Sequence, residues 1–409
     1  MGSKRDIKKR CVALLMIVLM AYSLAGCGKS RETIKLSVWT TEAKLKLMES
    51  SLDAFKKLHE DEVNIEYVIS KEDEDTCKET ILSNPEGAAD IFAFADDQLD
   101  ELKSAGVLYE MSADPETDLE PFGGKDSVAY RSVVRDGKMY AYPETANGYF
   151  MYYNKKFFKA EDVKSLDRMV EIAGNDNKRV AMDLSSGWYL YSFFKGAGLT
   201  LELDDSGKKN VCNWNAKDTK HTGLEVAEAI SRLSIKRGFK SMADDDFIKG
   251  VQNGTVVAGV NGAWNAEKVM RTWGVNYAAV KLPTYRVGGE DVQMASYTGY
   301  KVIGINANSA HAQWCETFVE YYTSAENQIE EFKETGEVPA NLNVADSEVV
   351  SGAAAVMALG EQSKYAELQR VAPPFWDAAS KFGVTLGSGN PDKRDLQELL
   401  DEMVKGITE

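Results

Sequence analysis

Residues 90–108 read DIFAFADDQLDELKSAGVL. DIFAF is a short apolar run of strand type, and DDQLDELKSAGVL turns helical with no linker between them. Upstream the same alternation occurs twice more. IKLSVW (34–39) is a strand, and EAKLKLMESSLDAFKKLHE after it sets Leu45, Met48, Leu52, Phe55 and Leu58 three or four residues apart, on one helix face. VNIEYVI (63–69) is a second strand and DTCKETIL a second helix. Three successive strand–helix pairs predict an α/β fold with a parallel sheet covered on both faces. Ligands of such sheets sit beyond the carboxyl ends of the strands. Those ends are residues 39–42 and 94–98.

KMYAYP (138–143) and YFMYYNK (149–155) are two further extended runs, with ETANG between them. A second alternating region covers residues 163–282. It includes the helix of Leu224, Ala227, Ile230 and Leu233 and the strands TVVAGV (255–260) and VNYAAV (275–280). YKVIGIN (300–306) restores a strand signal, and HAQWCETFVEYY is a helix with Trp314, Phe318 and Tyr322 in step. The last seventy residues read as helices, closing with RDLQELLDEMVKG. No internal repeat and no Pro/Gly/Ser-rich linker interrupts the 409 residues, so the two halves are expected to be joined tightly, by more than one crossing.

The composition is globular, with 44% hydrophobic and 27% charged residues. A net charge of −16 repels nucleic acid and anionic lipid, so neither is a favoured partner. KRDIKKR (4–10) followed by the apolar VALLMIVLMAYSLA (12–25) is a secretory signal. The apolar run is shorter than the about twenty residues a membrane-spanning helix needs. It ends in Leu24-Ala25-Gly26-Cys27, which resembles a bacterial lipobox, with lipidation at Cys27 and removal of residues 1–26. The expected location is the outer face of the cytoplasmic membrane, held by acyl chains. Cys77, Cys212 and Cys315 form neither a disulfide framework nor a zinc motif, and most are expected to be buried.

Enzyme signatures are missing. FGGKDS has Leu119 where a phosphate loop needs glycine, and the SSG at 185–187 lacks the leading Gly of GxSxG. His59, His221 and His311 have no second ligand at metal spacing and read as solvated positions on helix faces. The acidic loop at Asp114 lacks the Gly and Glu of a calcium loop. No catalytic residue, metal or cofactor is expected. The stronger signal is aromatic rings beside turn-forming residues, at DLSSGWYLY (183–191), NGAW (261–264), PPFW (373–376) and the 140–155 stretch. A pyranose has an apolar face and a rim of hydroxyls, so it needs a flat ring with planar polar groups at its edges.

From residue 34 to about 387 the chain resembles the maltose-binding-like, family 1 solute-binding proteins of ABC importers. The blocks that carry the resemblance occur in order: IKLSVWTTEAK, ADIFAFADDQLDELKSAGVLYEM, DGKMYAYP with YYNK, AMDLSSGWYLYSFFKGAG, NGTVVAGVNGAW, VNYAAVKLPTY and GYKVIGINANS. The resemblance implies two α/β lobes with hinge crossings between them and a sugar in the cleft. The expected lobes are residues 31–145 with 299–340 and 146–298 with 341–409. It also implies Trp188, Trp264 and Trp376 as stacking platforms, with Lys44 and Asp97 as polar contacts. Phe94, Gln98 and Asn147 stand at binding positions where the maltose binder has Trp, Arg and Glu, and Ala43 replaces an Asp. The retained platforms favour a maltooligosaccharide, delivered by a monomer to a permease. Another oligosaccharide on the same fold, or a surface glycan-degrading enzyme, is the alternative. Tyr140, Tyr142, Tyr152 and Tyr153 are expected in strand and hinge packing, with Asn147 and Tyr149 facing the cleft.

The lipobox reading has a direct check in cell fractionation. Cys27→Ala should leave the protein unlipidated, and either unprocessed or released from the membrane. A variant that is processed normally and still extracted only by detergent would contradict it.

Overall fold

The computed structural model describes residues 31–409, so Cys27 and the signal segment lie outside the described residues. Ten strands form the main sheet. In chain order they are β1 (Thr33–Thr40), β2 (Asn64–Lys71), β3 (Ile91–Ala95), β4 (Ala141–Asn154), β5 (Arg179–Ala181), β6 (Phe239–Lys240), β7 (Val256–Gly262), β8 (Tyr277–Val280), β9 (Ser296–Ile305) and β10 (Ala366–Leu368). Their order across the sheet is β6-β5-β7-β4-β9-β3-β1-β2, with β8 also on β4 and β10 on β9.

The first part forms as the alternation predicts. β1 pairs parallel with β2 and β3, and its Ile34, Leu36 and Val38 are wholly buried. The helix Leu45–Leu58 covers them with Met48, Leu52 and Phe55. Leu58, the last residue of the expected stripe, is left exposed where the helix ends.

β4 is the pivot. Its residues 141–148 pair antiparallel with residues 298–304 of β9, while residues 149–154 pair with β7 and β8. β9 in turn pairs through Lys301–Ile305 with β3. Each long strand therefore runs out of one group of strands and into the other. A third segment follows β4, with Ala146 N donating to Val338 O at 2.8 Å and Ala340 N to Glu144 O at 3.2 Å.

Separate cores lie on either side of these crossings, giving two lobes. One gathers residues from Ile34 to Tyr142 with Val302–Tyr322. The other gathers Tyr149 to Tyr297 with the helices Pro374–Gly387 and Leu396–Thr408. A smaller cluster, including Phe150, Tyr152, Phe247 and Ala358, covers the second face of the same strands. The crowded aromatics of residues 149–153 follow from this. Side chains alternate across a strand, and this strand is buried on both faces, so Tyr149 and Met151 enter one core while Phe150 and Tyr152 enter the other. Tyr140 and Tyr142 fill the first lobe, and Tyr153 packs partly buried on the second.

One expectation about a small feature needs correction. His221 is buried in a loop with Nε2 3.6 Å from Glu290, because the strand pair 284–293 folds over it. Cys77 and Cys315 are buried as expected, while Cys212 is partly exposed.

Lys44 presents the largest electrostatic feature. Its side chain is 0% exposed, and Nζ lies 3.0 Å from Glu144, 2.6 Å from Glu331 and 3.2 Å from Glu337. Lys301 extends the cluster, 2.9 Å from Glu337 and 3.4 Å from Glu74. Burial pulls the Lys44 pKa down, but the fields of the three glutamates outweigh it and hold the ammonium charged, well above the ordinary lysine value. Burial pushes Glu331 up to about 8, with Lys44 opposing and the neighbouring glutamates assisting. Glu337 also feels burial, yet Lys301 and Lys44 hold it below the ordinary carboxylate range.

Removing one member of a buried ionic group strands the others without compensation, at about 3–5 kcal/mol. Lys44→Met should therefore lower the melting temperature of the ligand-free protein sharply, and adding Glu331→Gln should recover part of the loss. A Lys44→Met protein that melts like the parent would contradict this account.

Candidate ligand cleft

The strand register fixes where a ligand can bind. β3 ends at Ala95, opposite Lys301 of β9, which is opposite Thr145 of β4. β7 runs the other way and ends at Gly262, opposite Tyr149 of β4. The carboxyl ends of both parallel sets thus point at the same gap, and residues 146–148 lie between them. Ligands of α/β sheets occupy this kind of crevice.

Asn147 lies on β4 within residues 146–148, opposite Gly299 of β9. Its Oδ1 is buried with no hydrogen-bond partner among the described residues, and an unpaired buried acceptor is costly unless something else satisfies it. Tyr149 beside it is wholly buried and turned away from the gap. Its hydroxyl donates to Trp188 O at 2.8 Å, and its ring packs 5.5 Å from the Trp188 ring. Tyr149 packs under Trp188 and, contrary to expectation, does not face the gap.

The three tryptophans are all partly exposed and sit on the second lobe's side. Trp188 occupies the first turn of the helix Gly187–Gly196, 5.4 Å from the Tyr297 ring. Its indole Nε1 has no partner among the described residues. Trp376 lies in the first turn of the helix Pro374–Gly387, against Phe375 at 4.8 Å. Phe375 in turn covers Gly187, where a Cβ would come within 2.9 Å of its ring carbons, so glycine lets these two helix starts meet. Trp264 lies in the turn that follows β7, with its ring against Gly262.

Across the gap, Asp97 follows β3. Its Oδ2 accepts from Gln369 Nε2 at 2.5 Å, and the adjacent Asp96 binds Arg370 Nη2 at 2.8 Å. Burial and the Asp96 charge together push the Asp97 carboxyl up to about 6. Gln369 and Arg370 lie in the segment between β10 and the Trp376 helix, so they tie the first lobe's edge to the approach of a platform. Sequence reading missed both. Their one signal was their place just before PPFW, and no pattern marks a polar pair whose partners are more than 270 residues away.

Three expected contacts are placed elsewhere. Lys44 is enclosed by glutamates, and its charge is already neutralised. Phe94 is wholly buried in the first lobe's core with Phe92, 5.7 Å away. Gln98 is buried, and its amide donates to the Glu74 and Asp75 carbonyls at 3.0 and 3.3 Å, pinning the loop after β2. Of the other expected site residues, Asn147 lies on β4, Asp97 follows β3, and Trp188, Trp264 and Trp376 are partly exposed.

Comparison with known proteins agrees with this architecture. Residues 50–358 match the family model described as bacterial extracellular solute-binding protein. A galactooligosaccharide-binding protein of Bacillus subtilis (strain 168) is 23% identical over 426 residues, covering 97% of each chain. A maltooligosaccharide ABC transporter solute-binding lipoprotein of Streptococcus pneumoniae (strain ATCC BAA-255 / R6) is 25% identical over 366 residues, covering 81% of each. A solved structure described as being with acarbose superposes with a TM-score of 0.81 at 26% identity, over 92% of this chain and 99% of its own.

Proposed function

The chain belongs to the bacterial extracellular solute-binding proteins and is not an enzyme, and from that premise we propose that it is a lipid-anchored receptor that binds maltooligosaccharides for an ABC importer. The observations that support the reading are three partly exposed indoles, Trp188, Trp264 and Trp376, and the buried Asn147 Oδ1 without a hydrogen-bond partner among the described residues, on the strand that joins two strand sets. The indoles suit the apolar faces of successive glucose units, and Asn147 and Asp97 suit their hydroxyl rims. The lobes are taken as residues 31–145 with 299–340 and 146–298 with 341–409, closing about the crossings at β4, β9 and 337–341. Closure requires that the sugar touch both lobes, since only a ligand that binds the closed form better can shift the balance. Asp97 on one side and the tryptophans on the other meet that requirement. The proposed address is the outer face of the cytoplasmic membrane, through Cys27, with a permease as partner and the receptor as a monomer.

A galactooligosaccharide is the second reading, supported by the relative that covers 97% of the chain. The two share the stacking chemistry and differ in how a hydroxyl points at the rim.

Calorimetric titration with maltotriose to maltopentaose and with galactooligosaccharides separates them. Trp188→Ala, Trp264→Ala and Trp376→Ala should each lose roughly 2 kcal/mol of binding, about thirty-fold in affinity, while the sugar-free melting temperature barely moves. A core tryptophan would instead lose about 3–5 kcal/mol of stability. Variants that bind as the parent does, or that lose most of their stability, would overturn the platform reading.

A further inference from the structure

Trp264 is held more tightly than a ring resting on a surface needs to be. It is in the turn after β7, where the chain has left the sheet. Its indole folds back over Gly262, where a Cβ would sit 2.1 Å from Cη2 and Cζ3 and 2.3 Å from Cε3 of the ring. Only glycine leaves that space, so one face of the indole lies on bare backbone. The residue stays partly exposed. The ring edge is fixed as well: Nε1 donates to Asp244 Oδ2 at 2.6 Å.

Asp244 opens the helix Asp244–Gln252, which comes from a different part of the second lobe. Its other oxygen accepts from Asn261 Nδ2 at 2.9 Å, and Oδ2 also receives Asn265 Nδ2 at 3.4 Å. Asn261 is buried, and its Oδ1 accepts from Gly262 N and Asn265 Nδ2, each at 2.8 Å. One carboxylate therefore locks the indole, the glycine beneath it and both flanking asparagines into a single network. An indole N–H can only donate, and a hydrogen bond to an ionised acceptor is stronger than one between neutral groups.

We propose that Asp244 is a positioning residue that presets the Trp264 platform for the sugar. The inference rests on the reading of Trp264 as a platform given above. A preset ring has no rotational freedom to lose on binding, and that loss is a main cost of association. Asp244 thus raises affinity through the tryptophan, not by touching the ligand.

The test is a double-mutant cycle read by calorimetric titration with maltotetraose. Asp244→Ala should weaken binding about three- to ten-fold, the size of re-ordering one side chain. In a Trp264→Ala background the same change should cost less than about two-fold, because the ring it positions is gone. In the sugar-free protein, the Trp264 indole N–H resonance, identified by its loss in Trp264→Ala, should exchange faster with solvent in Asp244→Ala. Asp244→Asn, which keeps one acceptor oxygen, should fall between parent and alanine on both readouts and serves if the alanine variant folds poorly. Equal losses in both backgrounds, or no loss in the parent background, would overturn the proposal. A Trp264→Ala protein that binds like the parent would overturn the platform reading and this inference with it. A Trp264→Ala loss without an Asp244 effect would overturn only the latter.

Discussion

The structure depends on one constraint, that β4 pairs with different partners at its two ends. Residues 141–148 belong to the ladder of β9, and residues 149–154 to the ladders of β7 and β8. A one-residue slip in either ladder would turn every side chain beyond it to the wrong face. On the second lobe's side that would exchange Tyr149 and Met151 with Phe150 and Tyr152 between two filled cores. The register is therefore fixed on both sides, and with it the distance between the carboxyl ends of β3 and β7. The gap between the strand sets follows from that register, with Asn147 on the strand that spans it.

The buried ionic cluster acts on the same place. Four glutamates and two lysines meet where β1, β2, β4 and β9 approach the gap, and they include Glu144 on the shared strand and Glu337 at the third crossing. Burying ions is expensive, and such groups are better at specifying an arrangement than at adding stability. Here the arrangement specified is the join between the lobes. Lys44 pairs with Glu144 on β4 and Glu337 on the third segment, and Lys301 on β9 pairs with Glu337, so the crossings cannot shift independently without breaking ion pairs.

Much of this was legible in the chain. Strand–helix alternation gave the parallel sets, and the strand signal at 300–306 marks β9, which the structure pairs with β3. Phe94 is an instructive miss. The reading that placed β3 in a sheet covered on both faces already implied that its residues are buried, and Ile91 to Phe94 are. Lys44 could not be read in this way. A lysine after a strand is an exposed contact unless carboxylates enclose it, and Glu144, Glu331 and Glu337 lie far along the chain. Asp244 was hidden for a different reason. It stands in a run of three aspartates, and nothing in DDD distinguishes the one that meets an indole.

The central claim is that an oligosaccharide lies in the gap defined by the strand register, stacked on indoles from the second lobe and hydrogen-bonded from the first. A crystal structure of the protein grown with maltotetraose tests it most directly. The account predicts sugar rings against Trp188, Trp264 and Trp376, with a hydroxyl on Asn147 Oδ1 and another within reach of Asp97. Sugar bound away from residues 146–148, or in the gap with the three indoles turned into protein, would contradict it.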